Sequence, residues 1–142
     1  MNMKKIILVL VFGTFILTGI IFLNKNRLDQ NRYKEFARIN YKLENKNLKL
    51  LVADTPEKWQ RGLMYFRKLE GVDGMIFIFP EKELRTFWNK NTFMNLDLYW
   101  LDDDRIVGKS FLSLIEKSKE IITVSSPKEV NKVIELPVKD KR

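Results

Sequence analysis

A mainly β fold is what this sequence predicts: a compact β-sandwich or small barrel with one short helix, preceded by a single transmembrane helix. Three observations lead there. Short apolar runs alternate with turn residues from about residue 37 to residue 136, the spacing of an all-β domain. One helix start stands among them, at Thr55-Pro56-Glu57. And Ile6 to Leu23 runs without a charge.

That apolar run sets the chain's organisation. At about 1.5 Å per residue it just crosses a hydrocarbon core of about 30 Å. No A-x-A-like cleavage pattern ends it, and Ile20-Ile21-Phe22-Leu23 is bulky, so an uncleaved anchor is expected rather than a removed signal peptide. Lys25, Arg27, Arg32, Lys34 and Arg38 follow it. By count, these favour a cytoplasmic domain. The layout, a short basic tip and then an apolar run, is that of an export signal, and long domains translocate largely regardless of charge. The expectation is therefore an extracytoplasmic domain. The chain divides into an anchor at 1–24, a polar spacer at 25–35, a β domain at 36–137 and a basic tail at 138–142.

Composition excludes more than it suggests. Histidine and cysteine are both absent. That removes disulfides, thiol nucleophiles, the usual zinc sites, and haem held by His or Cys. It also removes a histidine general base and any Ser-His-Asp triad. No cofactor is expected. The net charge is +8, and residues 25–50 hold eight Lys or Arg against three Asp or Glu. Beside an apolar run this fits anionic lipid headgroups. No helix-turn-helix or aromatic RNA-reading signature accompanies it, so no nucleic-acid partner is expected. Asp102-Asp103-Asp104 lacks the rest of a calcium loop and reads as a solvated turn, not a metal site.

Taken in order, Ala37–Leu43 and Leu48–Ala53 flank Glu44-Asn45-Lys46-Asn47 and read as a hairpin. Thr55 can cap a helix, Pro56 suits its first position and Glu57 its positive end. Trp59, Leu63 and Phe66 recur at helical spacing as its buried face. Gly71-Val72-Asp73-Gly74 is a turn. Met75–Phe79 is a buried strand stopped by Pro80. Arg85–Trp88, Phe93–Leu101, Ile106–Leu112, Ile121–Ser126 and Val130–Leu136 are further strands. Along 93–101, Asn95, Asp97 and Tyr99 share one face, and Leu96, Leu98 and Trp100 the other.

The stretch Thr86-Phe87-Trp88-Asn89-Lys90-Asn91-Thr92 sets aromatics beside hydrogen-bonding side chains in a turn. A pocket there would have Trp88 as apolar wall, Lys90 as positive charge, and Asn91 and Thr92 as directional partners. Arg61 and Asp97 are expected to converge on it. The plainer alternative is that Asp97 pairs with Lys90 or Arg61, or accepts turn N–H groups, and holds the loop. No catalytic residue is assigned. The enzymatic alternative is a hydrolase or transferase with Asp97 as base or nucleophile and Lys90 stabilising negative charge.

Val52-Ala53-Asp54-Thr55-Pro56-Glu57, Arg61-Gly62-Leu63-Met64, Asp73-Gly74-Met75-Ile76-Phe77-Ile78-Phe79-Pro80, Phe87-Trp88-Asn89-Lys90-Asn91-Thr92 and Leu96-Asp97 fall in one order and spacing. In this the chain resembles the domain of unknown function 192 family over roughly residues 36–137. The resemblance implies an anchored or exported β-rich domain and no established activity. The sequence departs from the family pattern at Asn89, where Met is usual, and at Asn95, where Pro is usual. Its 102–105 turn lacks the usual Gly. It also stops soon after Glu135-Leu136-Pro137, so a missing closing strand and an unprotected edge are expected. The resulting functional expectation is a membrane-anchored, extracytoplasmic, non-catalytic binding or accessory module. Its partners would be the membrane, through residues 6–23, and a cell-envelope ligand or protein.

Overall fold

The structure, a computed structural model, describes residues 18–21, 23–24 and 33–138. The chain divides into two units, Met1–Glu35 and Phe36–Arg142. In the first, residues 18–21 and 23–24 are helical, and Ile20, Ile21 and Leu23 are exposed. Most of the expected span at 6–23 and of the spacer at 25–35 lies outside the described residues, as does the tail from 139 onward. Among the described residues no helix is long and apolar enough to cross a membrane.

The second unit is mainly β. Its described strands are β1 (Ala37–Leu43), β2 (Lys46–Ala53), β3 (Gly74–Glu83), β4 (Thr86–Trp88), β5 (Leu96–Asp102), β6 (Arg105–Leu112), β7 (Thr123–Ser125) and β8 (Val130–Pro137). Six form one mixed sheet in the order β1-β2-β3-β8-β5-β6, and β4 and β7 form a separate two-stranded ribbon. The large sheet is open, with β1 and β6 at its edges. The last strand, β8, is central, paired with β3 and β5.

The β1–β2 hairpin turns tightly, with Leu43 opposite Lys46 and Glu44 at φ 51°. β2 and β3 then run parallel. Parallel neighbours need a crossover, and residues 54–73 supply it. The crossover contains α1 (Pro56–Arg61), where Thr55 Oγ1 accepts a hydrogen bond from Lys58 N at 3.4 Å. Gly62, at φ 47°, ends the helix. Leu63 and Phe66, expected on its buried face, lie beyond it and are buried from the following turns. Trp59 anchors α1, its indole N–H donating to Ala53 O at 3.0 Å and Ile78 O at 3.1 Å. A second short helix, α2 (Ile115–Ser118), was not expected.

β3 also runs past its expected stop. Pro80 lies within it, and the register against β8 shifts between Ile78 and Glu83. Proline cannot donate to the ladder, so it is tolerated where the ladder is interrupted. Phe93–Asn95 is not strand; β5 begins at Leu96.

Strand alternation divides the apolar residues between the two faces of the sheet. On one, Leu50, Val52, Ile76, Leu101 and Ile134 form a buried cluster with Leu43 and Leu48. On the other lie Leu51, Met75, Phe77, Leu98, Trp100 and Val133, all at 1% exposure or less. Gly74 has no room for a side chain. A Cβ there would meet Glu135 O at 2.1 Å and Leu136 Cδ2 at 2.7 Å. Gly74→Ala is expected to lower stability by roughly 1–3 kcal/mol, the usual cost of overpacking. A lower urea midpoint at unchanged slope would show it.

Candidate functional site

The site is built on Phe87. Period-two alternation along β4 points Phe87 inward and Thr86 and Trp88 outward. The Phe87 ring meets Phe77 edge-on at 4.7 Å and Trp100 at 5.6 Å. That fixes the ribbon over one face of the large sheet and leaves Trp88 39% exposed.

The next residue is pinned from all sides. Asn89 is fully buried. Its amide donates to Ser113 O at 2.9 Å and Ser118 Oγ at 2.7 Å, and its Oδ1 accepts from Ile122 N at 2.9 Å. Thr92 N donates to Asn89 O at 3.0 Å, which closes the turn. Asn91 and Tyr65 both have left-handed backbone, at φ 53° and 67°. That is costly for a residue as bulky as Tyr. They hold each other: Tyr65 N donates to Asn91 O at 2.8 Å, and Asn91 Nδ2 donates to Tyr65 Oη at 2.8 Å. The Lys90 ammonium sits 5.1 Å from the centre of the Trp88 ring, within cation–π range.

Arg61, Trp88, Lys90 and Asn91 thus line one cleft of about 300 Å³, with Glu57 and Tyr65 among its other walls. Thr92 is buried and lines a smaller adjoining cavity with Arg61 and Trp88. Trp88 also borders a groove of about 450 Å³, with Trp59, Phe79 and Arg85. Asp97 does not join this group. β4 pairs with β7, not with β5, so the hairpin that would turn Asp97 toward Lys90 does not form. Asp97 lies on the β5 face opposite Trp100, away from the ribbon, and its carboxylate pairs with Lys109 at 2.8 Å. Neither Lys90 nor Arg61 is its ion-pair partner.

The 102–104 turn is occupied by its own cations. Asp102 pairs with Lys82 at 2.5 Å and Arg105 at 2.9 Å, Asp103 with Lys82 at 2.8 Å and Asp104 with Lys132 at 2.7 Å. Hydrogen bonds from Lys82 and Arg105 hold the Asp102 carboxyl down to about 2.

Glu135 was not among the residues expected at the site. It stands mid-strand in β8, 4% exposed, with apolar Met75 and Leu98 as cross-strand neighbours. Its Oε2 has no hydrogen-bond partner among the described residues. Burial pushes its carboxyl up to about 8. It lines the small cavity, of about 20 Å³, with Arg61, Gly62, Phe77, Trp88 and Thr92. The sequence signal for it is a lone carboxylate between Ile134 and Leu136 in a strand-like run.

Residues 38–139 match the domain of unknown function 192 family, described as an uncharacterized ACR. The chain belongs to this family. No curated protein matches it. A crystal structure of a proposed transcription regulator from Sinorhizobium meliloti 1021 is similar, at 31% identity and a TM-score of 0.56, over 66% of this chain and 70% of that one. A protein of unknown function from Novosphingobium aromaticivorans DSM 12444 shares the fold, at 19% identity and a TM-score of 0.54, over 71% of this chain and 81% of that one.

Two predictions concern the family domain's polar groups. Asn89→Ala strands buried partners and is expected to cost roughly 1–3 kcal/mol. Asp97→Ala removes a partly exposed ion pair and should cost about 1 kcal/mol or less. Urea melts of both variants at neutral pH would check the order. Glu135 makes stability depend on pH with a definite sign. Above its ordinary 4.5 the unfolded carboxyl ionises, while the folded one keeps its proton up to about 8. The folded state then binds more protons, so this group's contribution falls as pH rises through that window and levels off above it. Glu135→Gln is expected to flatten the decline and raise the urea midpoint at the alkaline end.

Proposed function

We propose that this chain is a membrane-anchored binding module that is not itself catalytic, with its domain on the extracytoplasmic side. Its cleft takes an acidic, hydroxyl-rich fragment of the cell envelope. The observation that carries the reading is the cleft beside Trp88. An exposed aromatic face offers a stacking surface, Lys90 and Arg61 offer positive charge, and Asn91 is held in a fixed direction by Tyr65. Those are the parts of a recognition site for an anionic ring-bearing ligand. The uncharged run at 6–23 supports the anchor.

The enzymatic alternative has lost its geometry. A hydrolase or transferase using Asp97 and Lys90 needs both at one centre, and the Asp97 carboxylate is held by Lys109 on the opposite face of β5. A DNA-binding reading, which the name of the Sinorhizobium meliloti relative would bring, has little support. The helices α1 and α2 span six and four residues, short for a helix that reads a major groove.

The test is a fluorescence titration of the full chain in detergent with a disaccharide containing N-acetylmuramic acid. The chitin disaccharide serves as a neutral comparison. The acidic sugar should bind more tightly. Trp88→Ala and Lys90→Ala should each weaken it about tenfold, on the order of 1.4 kcal/mol, with unfolding midpoints unchanged. Equal or absent binding of the two sugars would sink the reading. Protease added to intact cells should digest the domain; protection until lysis would place it on the other side.

A further inference from the structure

Glu135 is the one buried carboxyl in the described domain that no neighbour satisfies, and it opens on a space. Its Oε2 is buried without a partner, and the side chain lines a cavity of about 20 Å³, room for about one water-sized group. Gly62 keeps that space open. At φ 47° it carries no side chain, and a Cβ would come to 3.1 Å from Phe77 Cζ and 3.9 Å from Glu135 Oε2. Trp88 and Arg61 border both this cavity and the larger cleft, so the two adjoin along shared walls. A buried polar atom without a partner is costly. A partner that arrives with a ligand would remove that cost.

We propose that the cavity over Glu135 is the deep subsite of the Trp88 cleft, receiving one hydroxyl oxygen of a sugar-class ligand to which the Glu135 carboxyl donates a hydrogen bond. This rests on the preceding reading of the cleft as a binding site.

The surroundings choose the chemistry. On its own sheet Glu135 faces only apolar cross-strand neighbours, Met75 and Leu98. From α1 and the loops, Gln60, Arg61, Gly62, Leu63, Met64 and Thr92 line the cavity. Arg61 is the charged group facing it besides Glu135 itself; Glu57 and Lys90 lie in the adjoining cleft. A cationic ligand tip would meet Arg61 across the cavity. A ligand carboxylate is better placed among Lys90 and Arg61 in the open cleft, where less desolvation is required. A neutral hydroxyl fits the remaining space and gives the carboxyl the partner it lacks. Burial keeps the carboxyl protonated to about pH 8, which makes it a donor through neutral pH. Trp88 then stacks the sugar ring whose hydroxyl reaches inward.

The experiment uses the full chain and the same N-acetylmuramic acid disaccharide, titrated from about pH 6 to about pH 9, a window in which the probe's own carboxylate stays ionised. Wild-type affinity should fall about tenfold across it as the donor proton is lost. Glu135→Gln keeps an N–H donor and cannot titrate. It should bind within about threefold of wild type at the acid end and show no pH dependence. Glu135→Leu should lose about tenfold or more throughout, with the protein still folded by its urea melt. A Glu135→Leu variant that binds like wild type would overturn the inference while leaving the cleft reading intact, provided Trp88→Ala still loses affinity. Affinity that rises with pH and is abolished in Glu135→Gln would overturn it in favour of a cationic group. No binding by wild type at any pH would bring down the cleft reading, and this inference with it.

Discussion

Everything around the site depends on one wedge, the Phe87 ring set against Phe77 and Trp100. Each such contact adds about 0.5–1.5 kcal/mol beyond the area it buries. Its larger effect is positional. β4 and β7 together have three residues per strand and cannot be stable as an isolated ribbon. Seating Phe87 on the large sheet fixes the ribbon's height and rotation. Because strand side chains alternate, the same contact forces Trp88 outward. The exposed face of Trp88 is thus a consequence of burying its neighbour.

The domain treats two of its buried polar side chains in opposite ways. Asn89, fully buried, has its amide engaged by backbone and hydroxyl groups on residues 113–122. It ties the loop before α2 to the ribbon, and its rigidity holds the turn that carries Lys90 and Asn91. Asn95 does similar work, its Oδ1 accepting from Leu114 N at 3.0 Å at the start of α2. Glu135 is also buried and has no such partners. A satisfied buried polar group specifies structure. An unsatisfied one in an open cavity costs stability, and such costs concentrate where a protein acts. That contrast separates the scaffold at Asn89 from the site at Glu135.

Several elements were legible from local pattern. The β1–β2 hairpin, the cap at Thr55-Pro56 and the alternation of Leu96, Leu98 and Trp100 are all set by residues close in sequence. Arg61, Trp88, Lys90 and Asn91 could be picked out by chemistry, and they do line one cleft. Asp97 misled, because an acid in an apolar strand looks committed to its nearest turn. Its partner, Lys109, comes from the next strand, a pairing that depends on register. Pro80 misled in the other direction. It ends a regular ladder, but here it lies at a register shift that local propensity does not show.

The sequence by itself determined the class of the domain, its family, the residues excluded from its chemistry and the alternation of Leu96, Leu98 and Trp100. These follow from composition and from periodicities of two or four residues, which are local properties. Only the tertiary structure decided that β8 lies at the centre of the sheet, that β2 and β3 run parallel, and that Glu135 opens on a cavity beside Trp88. Those depend on which distant strands pair: Met75 of β3 lies opposite Glu135 of β8, sixty positions further along the chain. Hydrogen bonding along a strand carries no sequence label, so the partner is chosen by the packing of whole faces. A carboxylate's role is chosen with it. Asp97 and Glu135 both interrupt apolar strands, and the packing around each leaves one paired near the surface and the other unpartnered in the interior.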